Sequence, residues 1–168
     1  MSIAQKALRK TRVKVIFLLI FTHAFVALFG FALGIYSLPI LTAPDAPTNI
    51  EVADKASQAI FKTKFVRELK DSDVLHWGDG EVTLGADYIT LTGELAPGPD
   101  YKLYLSPEFV ETEARFNQLK STMKQVGSVN TFNNFVVTLT DGTDVSSFNT
   151  VIVWCESFGE FITSAQYQ

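Results

Sequence analysis

The chain has one cysteine, Cys155, among 168 residues. An intrachain disulfide is therefore excluded, and so is a lipid anchor on an N-terminal cysteine. The sequence has no CxxC or HExxH pair, no P-loop and no dinucleotide fingerprint, which removes the commonest signatures of thiol-redox, zinc-protease and nucleotide chemistry. Outside the apolar N-terminal run there is one histidine, His76, so a Cys-His hydrolase has a single base available to it. Two stretches also lack charge. No charged residue occurs from Val15 to Ile40, and no lysine or arginine follows Lys124.

Lys6, Arg9, Lys10, Arg12 and Lys14 precede the uncharged run, whose 26 positions would span roughly 39 Å as a helix at about 1.5 Å per residue. That exceeds the roughly 30 Å hydrocarbon core, and residues 15–40 are expected to be a transmembrane anchor in the lipid bilayer. Beyond Lys14, nine cations face all 18 acids, a formal charge of −9. Basic residues beside the first span favour a cytoplasmic N-terminus (1–14) and place the acidic remainder on the far side, periplasmic or at the cell surface. The rival reading is a cleaved secretory signal ending near Ala32-Leu33-Gly34, but signal apolar regions run to about 15 residues. Both readings export the domain. An acidic domain without basic stripes is a poor nucleic-acid binder. His23 lies near the cytoplasmic side of the span, where a neutral imidazole is tolerated.

Pro44 and Pro47 mark a linker or stalk over 41–64, with a short helix expected around Ala53 and Ala56, carrying Asp54 near its start and Lys62 and Lys64 near its end. The first strand is expected at Phe65–Leu69. Alternation then predicts a hairpin, Glu81–Leu84 and Tyr88–Thr92 around Gly85-Ala86-Asp87, a turn at Ala96–Asp100 and a strand at Tyr101–Leu105. Ser106-Pro107-Glu108 reads as a helix start, leading into helical spacing from Phe109 to Met123. Strands follow at Phe135–Leu139, Asn149–Phe158 and Phe161–Tyr167, with a turn at Thr140–Thr143. The expected fold of residues 65–168 is mostly β, a β-sandwich or barrel-like domain with a short helical insertion, preceded by the one transmembrane helix. Its core is expected to draw on Val82, Leu84, Ile89, Leu91, Leu103, Leu105, Val137, Leu139, Ile152, Val153 and Trp154.

In the cysteine strand Val151, Val153 and Cys155 point one way, and Ile152, Trp154 and Phe158 the other. Both faces are apolar, which places the strand centrally in a packed sheet. Thiolate chemistry needs neighbouring cations, helix N-termini or metals, and the local sequence supplies none. Glu156 is negative and points to the other side. Cys155 is therefore a buried apolar residue, a metal or haem ligand, or a slow redox thiol. His76, ahead of Gly78-Asp79-Gly80, is either a loop histidine packed beside Trp77 or a metal or haem ligand.

The pattern His76…Gly80-Glu81-Val82, Gly98-Pro99-Asp100-Tyr101 with Leu103-Tyr104-Leu105, Thr150–Phe158 and Phe161…Ala165 resembles the DM-thirteen domain, proposed to act in electron transfer. The resemblance covers about Phe65 to Tyr167. It implies a β-rich, exported or membrane-anchored domain whose signature cysteine, here Cys155, is a naked redox thiol or a ligand to a prosthetic group such as haem; His76 matches the family's histidine. With an electron-transfer role, a redox partner protein in the cell envelope is expected. The alternative is a non-catalytic envelope binding domain in which Cys155 is structural. The segment Phe109–Met123 is longer than the family's usual connection.

Overall fold

The computed structural model describes residues 3–139 and 142–168. It divides into two units at Leu38/Pro39. A helix α1 (Ile3–Thr42) takes in the basic residues from Lys6 to Lys14 as well as the apolar run. Its Arg9–Thr42 portion is long and apolar enough to cross a membrane. His23 Nδ1 lies 2.7 Å from the Leu19 carbonyl of the preceding turn, and Thr22 bonds the same oxygen.

The second unit is a two-sheet β-sandwich. A short helix α2 (Asn49–Ala56) opens it, started by a capping box in which Thr48 and Glu51 satisfy each other's backbone donors. It buries Val52 and lays Lys55 over the Tyr88 ring, 4.5 Å from the centroid. The strands are β1 (Phe61–Phe65), β2 (Gly78–Leu84), β3 (Tyr88–Leu95), β4 (Tyr101–Ser106), β5 (Lys124–Val129), β6 (Phe135–Thr138), β7 (Thr150–Cys155) and β8 (Glu160–Gln166). They form two antiparallel sheets, ordered β1-β2-β3-β6 and β5-β4-β7-β8.

The eleven residues expected in the core are all buried. They divide into two cores, because the second sheet is covered on both faces. Val82, Leu84, Ile89, Leu91, Leu103, Leu105, Val137, Leu139 and Val153 lie between the sheets. Ile152 and Trp154 lie on the outer face, with Tyr104, Val110, Phe116, Leu119 and Phe161, beneath a helix α3 (Glu113–Leu119).

Four expectations need correction. The first strand is Phe61–Phe65, not Phe65–Leu69, and Lys62 and Lys64 are its exposed alternate residues rather than the end of a helix. Helix α3 starts at Glu113, capped by Thr112; the Ser106 hydroxyl instead closes a tight turn with Glu108. Strand β5 occupies Lys124–Val129, where no strand was expected: Gly127 sits where a side chain would strike Val137, and the β4–β5 register shifts at Leu103/Tyr104, which breaks simple alternation. Phe158 leaves the strand at a turn after Cys155 and is 53% exposed. Of the expected Thr140–Thr143 turn, Thr140 and Asp141 lie outside the described residues.

Candidate functional site

Cys155 ends β7 at the rim of the sandwich, with its side chain on the inner face, as its alternation with Val151 and Val153 requires. Its cross-strand partners are Tyr101 on β4 and Glu160 on β8. The residue is 3% exposed, and Sγ donates a hydrogen bond to the Pro99 carbonyl at 3.1 Å.

The loop that supplies this carbonyl is built for the purpose. Gly98 is required because the Tyr101 ring lies against it: a Cβ there would come 2.3 Å from Oη. The Tyr101 hydroxyl reaches back to the Ala96 carbonyl at 2.9 Å and pins the corner. Asp100 adopts a left-handed conformation, φ 54°, which aspartate tolerates better than most residues. Its carboxylate then receives Ser157 Oγ at 2.9 Å and pairs with Lys102 at 2.9 Å, while its carbonyl accepts from the Glu156 N–H at 3.2 Å. The Gly98–Tyr101 turn and the Trp154–Ser157 stretch, which are far apart in sequence, are thus two halves of one site around the sulfur.

The electrostatics keep this sulfur protonated. Burial raises the Cys155 thiol above its ordinary value, and the negative charges of Asp100 and Glu160 add to that; the Phe158 and Ser157 backbone N–H groups pull only partly the other way. Glu156 points to the opposite face, as expected.

His76 is held by its own neighbours. Its Nδ1 lies 3.0 Å from Asp73, whose carboxylate also accepts from the Leu75 and His76 backbone N–H groups, so the imidazole closes a local turn. Trp77 packs against Arg67, with the guanidinium carbon 3.3 Å from the ring centroid. The Gly-x-Gly that follows has a backbone role. A Cβ on Gly78 would meet the Thr163 methyl at 2.5 Å, and Gly80, with φ 140°, lies against the backbone of Thr92 and Gly93.

Cys155 as it is held here does not fit a haem. An axial thiolate needs an open approach and a readily ionised sulfur, whereas Cys155 is capped by Pro99 and held as a thiol. Among the described residues no group of three or more His, Cys, Asp or Glu side chains is disposed to hold a metal ion.

A second polar cluster, which sequence reasoning missed, lies on the outer face of the same sheet. The Tyr104 hydroxyl donates a hydrogen bond to Glu156, and Lys120 Nζ bonds both oxygens of that carboxylate at 2.8 and 2.9 Å. The Tyr104 ring meets Phe116 edge-on at 5.2 Å, and Phe116 stacks on Trp154 at 3.8 Å with planes 8° apart. The signal was the outward alternation of Tyr104 and Trp154, but the third member, Lys120, arrives from a separate helical segment.

A family model described as Electron transfer DM13 matches residues 64–167. No curated protein and no solved structure matches the chain.

Proposed function

Since the chain belongs to the electron transfer DM13 family, we propose that it is a membrane-anchored electron-transfer domain, held outside the cytoplasm by residues 15–40, whose redox atom is the sulfur of Cys155. The observation that carries this reading is the convergence of Gly98–Tyr101 and Trp154–Ser157 on Sγ, because two distant segments are committed to one otherwise unremarkable thiol. With a single cysteine in the chain, a two-electron couple draws its second thiol from a partner protein. Two S–H bonds break and one S–S bond forms, two protons pass to solvent, and two electrons pass to an acceptor of the quinone or flavin class. Because Sγ is covered, the Pro99–Asp100 loop must part from the Ser157–Gly159 turn before the sulfur is reached.

The second reading is an envelope interaction domain in which Cys155 only packs; its low exposure and raised pKa favour it. Full-length protein in detergent, treated with oxidised glutathione under native conditions and analysed by mass, separates the two. The redox reading expects a reversible mixed disulfide on Cys155 with native fluorescence throughout, absent from Cys155→Ser. Modification that occurs only in step with global unfolding by urea would establish the packing reading instead.

A further inference from the structure

We propose that Tyr104 is a proton-coupled redox site, with Glu156 as the proton acceptor, on the face of the second sheet opposite Cys155. This deepens the electron-transfer reading and shares that premise, but it does not depend on Cys155. The inference begins with the hydrogen bond from the Tyr104 hydroxyl to Glu156. A phenol that loses an electron becomes a strong acid, and it can do so readily only where a base already holds its proton. Glu156 is such a base. Burial alone would raise its carboxyl, but its bonds to Lys120 and Tyr104 outweigh that and hold it below the usual carboxylate range, hence ionised at neutral pH.

The same neighbours decide which ring carries the oxidation. Lys120 Nζ lies 5.8 Å from the Tyr104 ring centroid, 5.6 Å from that of Phe116 and 6.0 Å from that of Trp154. Trp154 would have to bear a positive charge beside this ammonium, which opposes it. Tyr104 forms a neutral radical, because its charge leaves as a proton along an existing hydrogen bond. Burial and Glu156 meanwhile raise the phenol's own pKa, so it does not ionise without oxidation. Tyr104 as a whole is 5% exposed, which shields a radical from solvent. Yet the Glu156 and Lys120 side chains are 26% and 40% exposed, so the cluster reaches the surface where a partner can dock.

Tyr104 gives one electron to a one-electron acceptor, such as an oxidised haem or copper centre in a partner protein. Its O–H bond breaks and the proton moves to Glu156, leaving a phenoxyl radical and a neutral carboxylic acid.

The test uses full-length protein in detergent and a photo-oxidised ruthenium polypyridyl complex as the acceptor, followed by transient absorption and electron paramagnetic resonance. The expected result is a tyrosyl radical in the wild type and in Cys155→Ser, lost in Tyr104→Phe, which keeps the ring contact with Phe116. Glu156→Gln keeps a hydrogen-bond acceptor but no base, and should slow radical formation by about a hundredfold, the lower range for a positioned proton acceptor. It should also abolish the slowing in D2O. An unchanged tyrosyl signal in Tyr104→Phe, or an unchanged rate in Glu156→Gln, overturns the proposal. The glutathione experiment on Cys155 can fail or succeed independently of either result.

Discussion

Asp100 is the side chain on which access to Cys155 turns, and replacing it should free the thiol by a calculable amount. Its carboxylate holds Ser157 across the site at 2.9 Å, and its backbone already sits at φ 54°, so Asp100→Gly removes the latch without adding strain. A hydrogen bond to a charged acceptor is worth about 1.5–3 kcal/mol. The Asp100 side chain is 37% exposed, so solvent screening reduces this to roughly 1–2 kcal/mol, with little added by the Lys102 pair. The open population should therefore rise about 5- to 30-fold.

The assay is the rate at which an activated pyridyl disulfide modifies Cys155 in native full-length protein, measured across pH. Asp100→Asn is the necessary comparison. Asparagine tolerates the left-handed conformation and still accepts from Ser157, but it removes the charge that helps raise the thiol's pKa. It should shift the rate profile to lower pH with a smaller gain in opening. The wild type carries a further signature. The Lys102 and Ser157 bonds hold the Asp100 carboxyl below its usual range, so its contribution is complete above the unfolded value of about 3.9 and is lost as pH falls through the folded value. Opening should thus increase below about pH 4 in the wild type and not in Asp100→Gly. Should Asp100→Gly react no faster than the wild type at equal thiolate fraction, the latch does not govern access and the reasoning fails.

Two further outcomes bear on the outer core and the topology. Phe116→Ala deletes the ring stacked on Trp154 and should cost about 3–5 kcal/mol in urea unfolding, since the residue is fully buried under the second sheet. A reporter active only outside the cytoplasm, fused after Gln168, should be active; activity only from a reporter that works in the cytoplasm would overturn the charge argument for orientation.

The sequence exposed some of this and concealed the rest for identifiable reasons. Strand β7 was legible, and alternation put Val151, Val153 and Cys155 on one face and Ile152 and Trp154 on the other, although Phe158 lies past its end. The β2–β3 hairpin was equally plain, since Gly85-Ala86-Asp87 separates two alternating runs. Strand β5 was hidden by a glycine and a register shift, and the true cap of α3, Thr112, was hidden behind a more conventional Ser-Pro-Glu start. The candidate site was half visible. That Cys155 lacked an activating cation could be read from its neighbours, but the closing carbonyl of Pro99 and the Asp100–Ser157 latch are contacts between residues more than fifty apart. Tyr104, Lys120 and Glu156 come from three separate segments, and no local pattern announces such a meeting.

If the domain is displayed outside the cytoplasm, as proposed, a covered thiol is a coherent arrangement for it. An exposed lone cysteine there would pair with whatever disulfide it met, so its redox state would reflect the medium rather than a partner. Enclosing Sγ beneath Pro99 makes its reactivity the product of two factors, the opening of the loop and the ionisation of the thiol, and Asp100 suppresses both. A partner that draws the Asp100 carboxylate away, through a cation of its own, would relieve both with one contact. Selectivity would then reside in the surface that recognises Asp100 and not in the sulfur, which explains how so little local chemistry around Cys155 can still serve a specific exchange.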